Sequence, residues 1–295
     1  MTPALIKKGF NVTVIDNFMY KQNSLNNMCQ FENFHVENAD VRIKSVIEPL
    51  LKKADIIIPL AAYVGAPLCN KDPIGASSVN KDAILMMLKC ISKDQRIIMP
   101  TTNSAYGSGN KENFCDENSD LKPISLYAKE KVEVERHLFE HENFISYRLA
   151  TVFGMSPRMR LDLLVNDFTY RALKDQFLVL FESHFKRNYI HVKDVSRAFI
   201  HAIDNFEIMK GEIFNVGISD TNISKKELCE AIKLEVPNFV FPEEEVGEDP
   251  DKRNYIVSNQ KIEKTNLKTN ISLGDGIKEL LKGYTMINNS IYTNI

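Results

Sequence analysis

The stretch Arg96-Ile-Ile-Met-Pro-Thr-Thr-Asn-Ser-Ala-Tyr-Gly107 decides the fold. Its first half is a short, continuous apolar run, the pattern of a strand covered on both faces. Its second half is polar, rich in hydroxyls and closed by a glycine, as in a loop leaving a strand. Toward the N-terminus the same buried-strand pattern recurs over Ala54-Asp-Ile-Ile-Ile-Pro-Leu60. Phe34 to Val36 is a shorter strand leading to Asp40, and Asn11-Val-Thr-Val-Ile-Asp16 is a strand ending in an acid. Toward the C-terminus, Phe144-Ile-Ser-Tyr-Arg148 is a fifth. Helical spacing of apolar residues fills the intervals at Lys44 to Lys53, Asn80 to Ser92 and Tyr127 to His141. Strands alternating with helices in this way imply βαβ units. The expected class is α/β, a doubly wound parallel sheet of Rossmann type.

Beyond about residue 155 the alternation loosens. Prolines, arginines and short apolar runs mix, which suggests a smaller C-terminal lobe wrapped on the sheet. The expected division is 1–155 for the Rossmann part and 156–295 for the lobe, with segments returning to the sheet. Pro237 to Pro250, rich in Glu and Pro, is expected as an exposed loop or edge, and Leu273 to Met286 as a closing helix.

Composition narrows the class further. The 295 residues are 44% hydrophobic, enough for one large domain or a large domain with a small lobe. A net charge of −2 gives no support to a general nucleic-acid or polybasic membrane role. No apolar run approaches the ~18 residues of a membrane span, and the N-terminal apolar stretch is too short for a signal peptide. Cys29, Cys69, Cys90, Cys115 and Cys229 are odd in number, scattered and without a CxxC, which points to reduced thiols in a cytoplasmic protein.

The chemistry concentrates in Tyr127-Ala-Lys-Glu-Lys131. Residues i and i+4 share a helix face. A lysine cation beside a tyrosine favours the phenolate, the base that oxidation of a hydroxyl needs near neutral pH. Thr101 to Gly107 directly follows a strand of a parallel sheet, where ligands of open α/β folds bind. A hydroxyl there is placed to share a substrate hydroxyl with Tyr127. Without that context, Tyr127 and Lys131 would read as a solvated surface pair, and the loop as an ordinary turn.

The order of these motifs resembles the extended short-chain dehydrogenase/reductases, the NAD-dependent epimerase/dehydratase family that acts on sugar nucleotides. Val14-Ile-Asp16-Asn17 resembles the family strand whose acid holds the adenosine ribose. Asn38-Ala-Asp40-Val41 resembles the adenine-side turn, and Leu60-Ala61-Ala62 the loop along the cofactor. Asn80 matches a cofactor-side helix residue. Thr102, 25 residues before Tyr127, matches the catalytic Ser/Thr, and Tyr127 with Lys131 the Tyr-x-x-x-Lys pair. Asn103 and Ser104 follow on the substrate side. Phe185-Lys-Arg187-Asn-Tyr-Ile-His191 and Asp249-Pro-Asp-Lys-Arg253 resemble the two segments whose arginines grip the substrate pyrophosphate. Guanidinium forks suit that task because they bind phosphate oxygens bidentately.

The resemblance implies NAD as cofactor, a nucleotide-linked sugar as substrate, oxidation at C4 and a homodimer through the helices near Asn80–Ser92 and Tyr127–His141. Asp16 favours NAD over NADP, since a carboxylate would repel a 2′-phosphate. The run Arg148 to Phe168, including Asn166, is most similar to GDP-heptose C4 dehydrogenases of capsule synthesis. A 4-epimerase, or an NAD- or sugar-nucleotide-binding protein with impaired catalysis, remains open at this stage. A 4,6-dehydratase ranks lower. Its Asp-Glu pair after the catalytic Thr is here Asn103 and Ser104, and neither can serve as a carboxylate acid or base.

Two features stand apart. His137-Leu-Phe-Glu-His141 matches an inverted zinc-protease pattern, yet it reads as charged, outward-facing helix surface with no third ligand, so no metal is expected. The second feature is an absence. A Rossmann fold carries a Gly-rich turn roughly 20 residues before its ribose-binding acid. Here that acid is Asp16, and no G-x-G-x-x-G or G-x-x-G-x-x-G occurs among the twelve glycines. The first strand and phosphate loop are therefore expected to be absent from this sequence, leaving the sheet split, NAD binding weak and stability poor.

Overall fold

The computed structural model describes residues 1–107, 114–244 and 253–287. Its centre is β4 (Arg96–Thr102), with Ile97, Ile98 and Met99 entirely shielded from solvent. Around it lie β3 (Ile56–Ile57), β5 (Phe144–Leu149) and β6 (Glu212–Val216), in the order β6-β5-β4-β3 and all parallel. The register sets Ile97 opposite Phe144 and Thr102 opposite Leu149. β1 (Val12–Asp16) and β2 (Phe34–Asn38) run parallel as a separate two-stranded ladder, Val12 opposite Phe34 and Asp16 opposite Asn38. Among the described residues, no ladder joins that pair to β3.

Alternation along β4 builds two cores, because successive side chains of a strand point to opposite faces. Ile97 and Met99 pack with Ile47, Val134, Leu138 and Phe144 beneath α1 (Lys44–Leu51) and α3 (Leu126–Leu138). Ile98 packs on the other face with Ile145, Tyr147 and Phe199, the last from α5 (Val192–Asp204). Helices thus cover both faces, the condition under which all-parallel strands read as unbroken apolar runs. A third core lies where α4 (Leu164–Lys174), α6 (Lys225–Glu235) and α7 (Leu273–Tyr284) pack on one another.

Several expectations are adjusted. The strand anticipated from Ala54 to Leu60 keeps only Ile56 and Ile57 in the ladder; Pro59 has no N–H to contribute beyond it. The helix expected over Asn80–Ser92 starts earlier and changes character. It runs as Pro73–Ser77, then a π-turn at Ser78–Asp82, then α2 (Ala83–Leu88). Within the stretch expected as exposed, Phe239 is fully buried in the third core, and Glu243–Glu244 pair with Leu180–Phe181. Residues 245–250 of that stretch, and 249–252 before Arg253, lie outside the described residues. All five cysteines are free thiols. No helix among the described residues is long and apolar enough to cross a membrane.

Candidate active site

The site grows from the end of β4. Thr102 is its last residue, and its Oγ1 accepts from the Ser104 N–H at 3.1 Å, capping the turn Asn103–Tyr106. The same hydroxyl donates to Ser104 Oγ at 3.0 Å. Gly107 closes the turn at φ +67°, where a Cβ would lie 2.1 Å from the Lys122 carbonyl oxygen, so only glycine fits. Close by, Lys122 N–H donates to the Ala105 carbonyl at 2.8 Å. The turn is thereby fastened to the chain just before α3. Ser125 caps that helix by accepting from Ala128 N–H at 3.2 Å, which places Tyr127 in its first turn, packed on the Asn103–Tyr106 turn.

Beneath this assembly lies a buried polar network. Glu135 of α3 pairs with Arg148 of β5 at 2.6 Å, both almost completely shielded. Thr101 and Ser146 donate to the same carboxylate at 3.0 and 2.9 Å. Arg148 also donates to Tyr106, whose hydroxyl donates to Asn215 of β6 at 2.7 Å. The end of β4, α3 and the two neighbouring strands are thus locked by one connected set of bonds.

Lys131 stands one helical turn from Tyr127, its ammonium 6.0 Å from the ring centroid. Lys131 is buried and Tyr127 half-buried. Burial pushes the Tyr127 hydroxyl up to about 12, against the opposing pull of Arg160 and Arg253, while the nearby Cys69 adds to the rise. Burial also lowers Lys131 to about 8, opposed by Glu130 and Cys69. Desolvation dominates both groups, and the cations acting on the phenol are guanidiniums from elsewhere in the chain. The part of Arg160 in the site escaped the sequence reading, although its Arg-Met-Arg spacing was visible.

On the substrate side, the anticipated residues come together from distant positions. Arg253 donates to Ser104 Oγ. Buried Arg187 donates to the Arg253 carbonyl at 2.7 Å. Asn103 is fully buried, and neither atom of its side-chain amide has a hydrogen-bond partner among the described residues. Asn166 accepts from Gly154 N–H at 3.0 Å and donates to the Arg160 carbonyl at 2.8 Å. It shapes the loop that carries Arg160.

The cofactor-side residues are more open. Asp16 and Asn17 are exposed at the carboxyl end of β1 and accept from Phe18 and Met19 N–H at 2.7 and 3.2 Å. Asp40 pairs with Arg42, whose hydrogen bonds hold its carboxyl below the usual range. Arg42 also reaches Ser78 Oγ at 3.1 Å, which links the β2 turn to the π-turn. Val41, Ala61 and Ala62 are half-buried and Leu60 is exposed. Asn80 is fully buried. Its amide accepts from Tyr63 N–H at 2.8 Å and donates to the Tyr63 carbonyl at 3.0 Å and to Glu130 at 3.1 Å.

The histidine pattern is also re-placed. α3 ends at Leu138, so His137 and His141 do not share a helix face. His137 pairs with Glu140 at 3.0 Å; His141 turns inward, is buried, and bonds the Gln95 carbonyl at 2.9 Å. Among the described residues no group of three or more His, Cys, Asp or Glu side chains is placed to hold a metal ion.

Fold and site define a class: an α/β dinucleotide-binding enzyme fold with a Tyr–Lys pair and a threonine at the carboxyl ends of parallel strands. Within that class, the chain belongs to the NAD dependent epimerase/dehydratase family, whose model matches residues 1–217, and NAD is its cofactor. Solved structures agree in fold. UDP-glucose 4-epimerase from Thermotoga maritima is 22% identical, with a TM-score of 0.81 over 97% of this chain and 94% of that one. UDP-glucuronic acid 4-epimerase from Bacillus cereus is 21% identical, with a TM-score of 0.83 over 96% and 94%. dTDP-glucose 4,6-dehydratase from Bacillus anthracis is 17% identical, with a TM-score of 0.82 over 97% and 92%. The residues present suit the two ends of NAD. An exposed carboxylate at Asp16 suits a ribose diol, and Tyr127 with Lys131 offers a hydroxyl and an ammonium beside the end of β4.

Proposed function

We propose that this chain oxidises the C4 hydroxyl of a nucleotide-linked sugar, with Tyr127, Lys131 and Thr102 as its catalytic residues. One observation carries the reading. The turn that begins at Thr102 is bonded through Ala105 to Lys122, just ahead of the helix that carries Tyr127, and through Ser104 to Arg253. In this reading the hydroxyls of Thr102 and Tyr127 handle the sugar hydroxyl, and Arg253 grips the phosphate beside them.

When bound, NAD would supply the hydride acceptor. The chain's own residues do the rest. Tyr127, as the phenolate that Lys131 favours, takes the proton from the sugar hydroxyl and becomes neutral as the C4 hydride leaves for the cofactor; Lys131 also holds the nicotinamide ribose, and Thr102 orients the sugar hydroxyl. Arg187 and Arg253 hold the pyrophosphate, with Asn103, Ser104 and Asn166 around the sugar. Asp16, Asn17, Asp40, Val41, Leu60, Ala61, Ala62 and Asn80 make up the cofactor side. In this reading residues 1–155 bind the cofactor, residues 156–295 mainly the substrate, and two copies form a dimer.

The preferred substrate is GDP-heptose, on the resemblance of Arg148 to Phe168 to the dehydrogenases of capsule synthesis. A 4-epimerase is the second reading, favoured by the similarity in fold to 4-epimerases of UDP-sugars. A 4,6-dehydratase is disfavoured, because Asn103 and Ser104 offer no carboxylate. Incubation with NAD and a panel of GDP- and UDP-linked sugars tests this. Reduced cofactor should accumulate with a GDP-linked sugar and vanish with Tyr127→Phe. Inversion at C4 without net reduction would favour the epimerase; binding without any turnover would sink both.

A further inference from the structure

The loop that follows β1 is held by more than its own turn. Phe18 and Lys21 both adopt left-handed backbone, at φ +50° and +53°, a conformation costly for side chains of this size. Asp16 and Asn17 set up the turn by accepting from Phe18 and Met19 N–H, and Lys21 N–H closes it on the Phe18 carbonyl at 2.9 Å. Tyr20 stands between the two left-handed residues. The Arg158 guanidinium carbon lies over its ring, 4.1 Å from the centroid, and both residues are half-buried. The Tyr20 hydroxyl is buried and has no hydrogen-bond partner among the described residues. The ring, not the hydroxyl, therefore makes the contact.

Arg158 belongs to the other half of the chain, in the loop after the strand Thr151–Phe153. That loop is tied down along its length. Gly154 opens it at φ +110°, packed against His191. Ser156 Oγ donates to the Arg158 carbonyl at 2.5 Å, and the Arg158 guanidinium donates to the Met159 carbonyl at 2.9 Å. Arg160 follows, bonded to Asp162 at 3.1 Å, and its carbonyl accepts from Asn166. Against the dominant effect of burial, Arg160 pulls the Tyr127 hydroxyl downward, and Asp16 is among the groups that hold Arg158 charged. A continuous set of contacts thus runs from the acid at the end of β1, through the Tyr20 ring, to the loop that carries Arg160. A ligand that orders one end of it spares a ligand at the other end that cost.

We propose that Tyr20 is a positioning residue that joins the two halves of the site: its stack on Arg158 couples the loop after Asp16 to the loop carrying Arg160, so that NAD and a nucleoside diphosphate bind cooperatively. This rests on the function proposed above, and the test keeps the two apart. Calorimetry with GDP, with and without saturating NAD, gives the ratio of the two GDP dissociation constants. NAD should tighten GDP binding about fivefold or more in the parent. Tyr20→Leu removes the ring and should bring the ratio to about one. Tyr20→Phe keeps the ring and should keep the ratio. Arg158→Met breaks the same contact, serves should Tyr20→Leu fold poorly, and should match it; the double variant should lose no more than either. A purely structural role for Tyr20 would shift the thermal midpoint and leave the ratio alone. A parent ratio near one, or a ratio unchanged in Tyr20→Leu and Arg158→Met, would overturn the coupling and leave the proposed function standing. Binding of NAD with neither GDP nor UDP would overturn the substrate reading and the coupling together.

Discussion

The ends of β4 and β1 make an instructive contrast. At β4, Thr102 is fixed by its own cap, by the Ala105–Lys122 bond of the turn it opens and by the Glu135–Arg148 network one residue away. At β1, Asp16 and Asn17 are exposed and hold only the local turn that follows them. β4 lies between two cores, while the β1–β2 ladder packs on the small cluster of Ile6, Met28 and Phe34. The β4 end, catalytic in the reading proposed above, is thus preorganised by long-range bonds. The cofactor end presents its polar groups to solvent, for a ligand to engage. Substitutions at the two ends should differ in kind, catalytic or structural at one and affinity-limited at the other.

The largest effect expected is on turnover. Tyr127→Phe removes the proton acceptor and should lower kcat by about 10²–10⁴-fold. Its thermal midpoint should stay close to that of the parent, because the hydroxyl makes no hydrogen bond within the described residues; a large loss of stability would blur the contrast. Next is Glu135→Gln, which leaves Arg148 buried without its charge partner. It should cost about 3–5 kcal/mol in denaturant unfolding, and a cost near zero would show that the network does not hold the end of β4.

Lys131→Met sharpens the contrast through pH. Its folded value of about 8 lies below the ordinary 10.5. Below pH 8 the lysine is charged in both states, and the folded chain bears the full penalty of burying it. Between 8 and 10.5 the unfolded chain binds the extra proton, so stability rises with pH and the penalty is gone above that window. Lys131→Met should therefore stabilise the protein near neutral pH, by on the order of 2–3 kcal/mol at most, and flatten the alkaline rise while abolishing turnover. A parent and variant with parallel pH–stability curves would refute this. The smallest effect belongs to Asp16→Ala. It should weaken NAD binding, seen as a raised Kd in calorimetry, while costing about 1 kcal/mol of stability or less for the lost turn.

What could be read from sequence follows the same division. The Thr101–Gly107 loop, Tyr127 and Lys131 were legible because their signals are local, an apolar run, a hydroxyl-rich loop and an i,i+4 pair, whereas Thr102 within that loop was singled out by the resemblance. The Ser104–Arg253 bond spans 149 residues and entered only through resemblance. Glu130 gave no signal, because one more acid on a charged helix looks like surface. Its burial comes from the unanticipated turn carrying Ser77 and Asn80 against α3. Phe239 misled for a similar reason, since the acidic, proline-containing run around it conceals one aromatic anchor in the third core. β3 was overcalled because its apolar run continues past the point where Pro59 ends the ladder.

The most direct test of the central claim is the fate of deuterium placed at C4 of a GDP-linked sugar offered with NAD. Tyr127-dependent transfer of that label to the reduced cofactor is the predicted result. Retention of all deuterium at C4 across GDP- and UDP-linked sugars, with NAD shown to be bound, would contradict it.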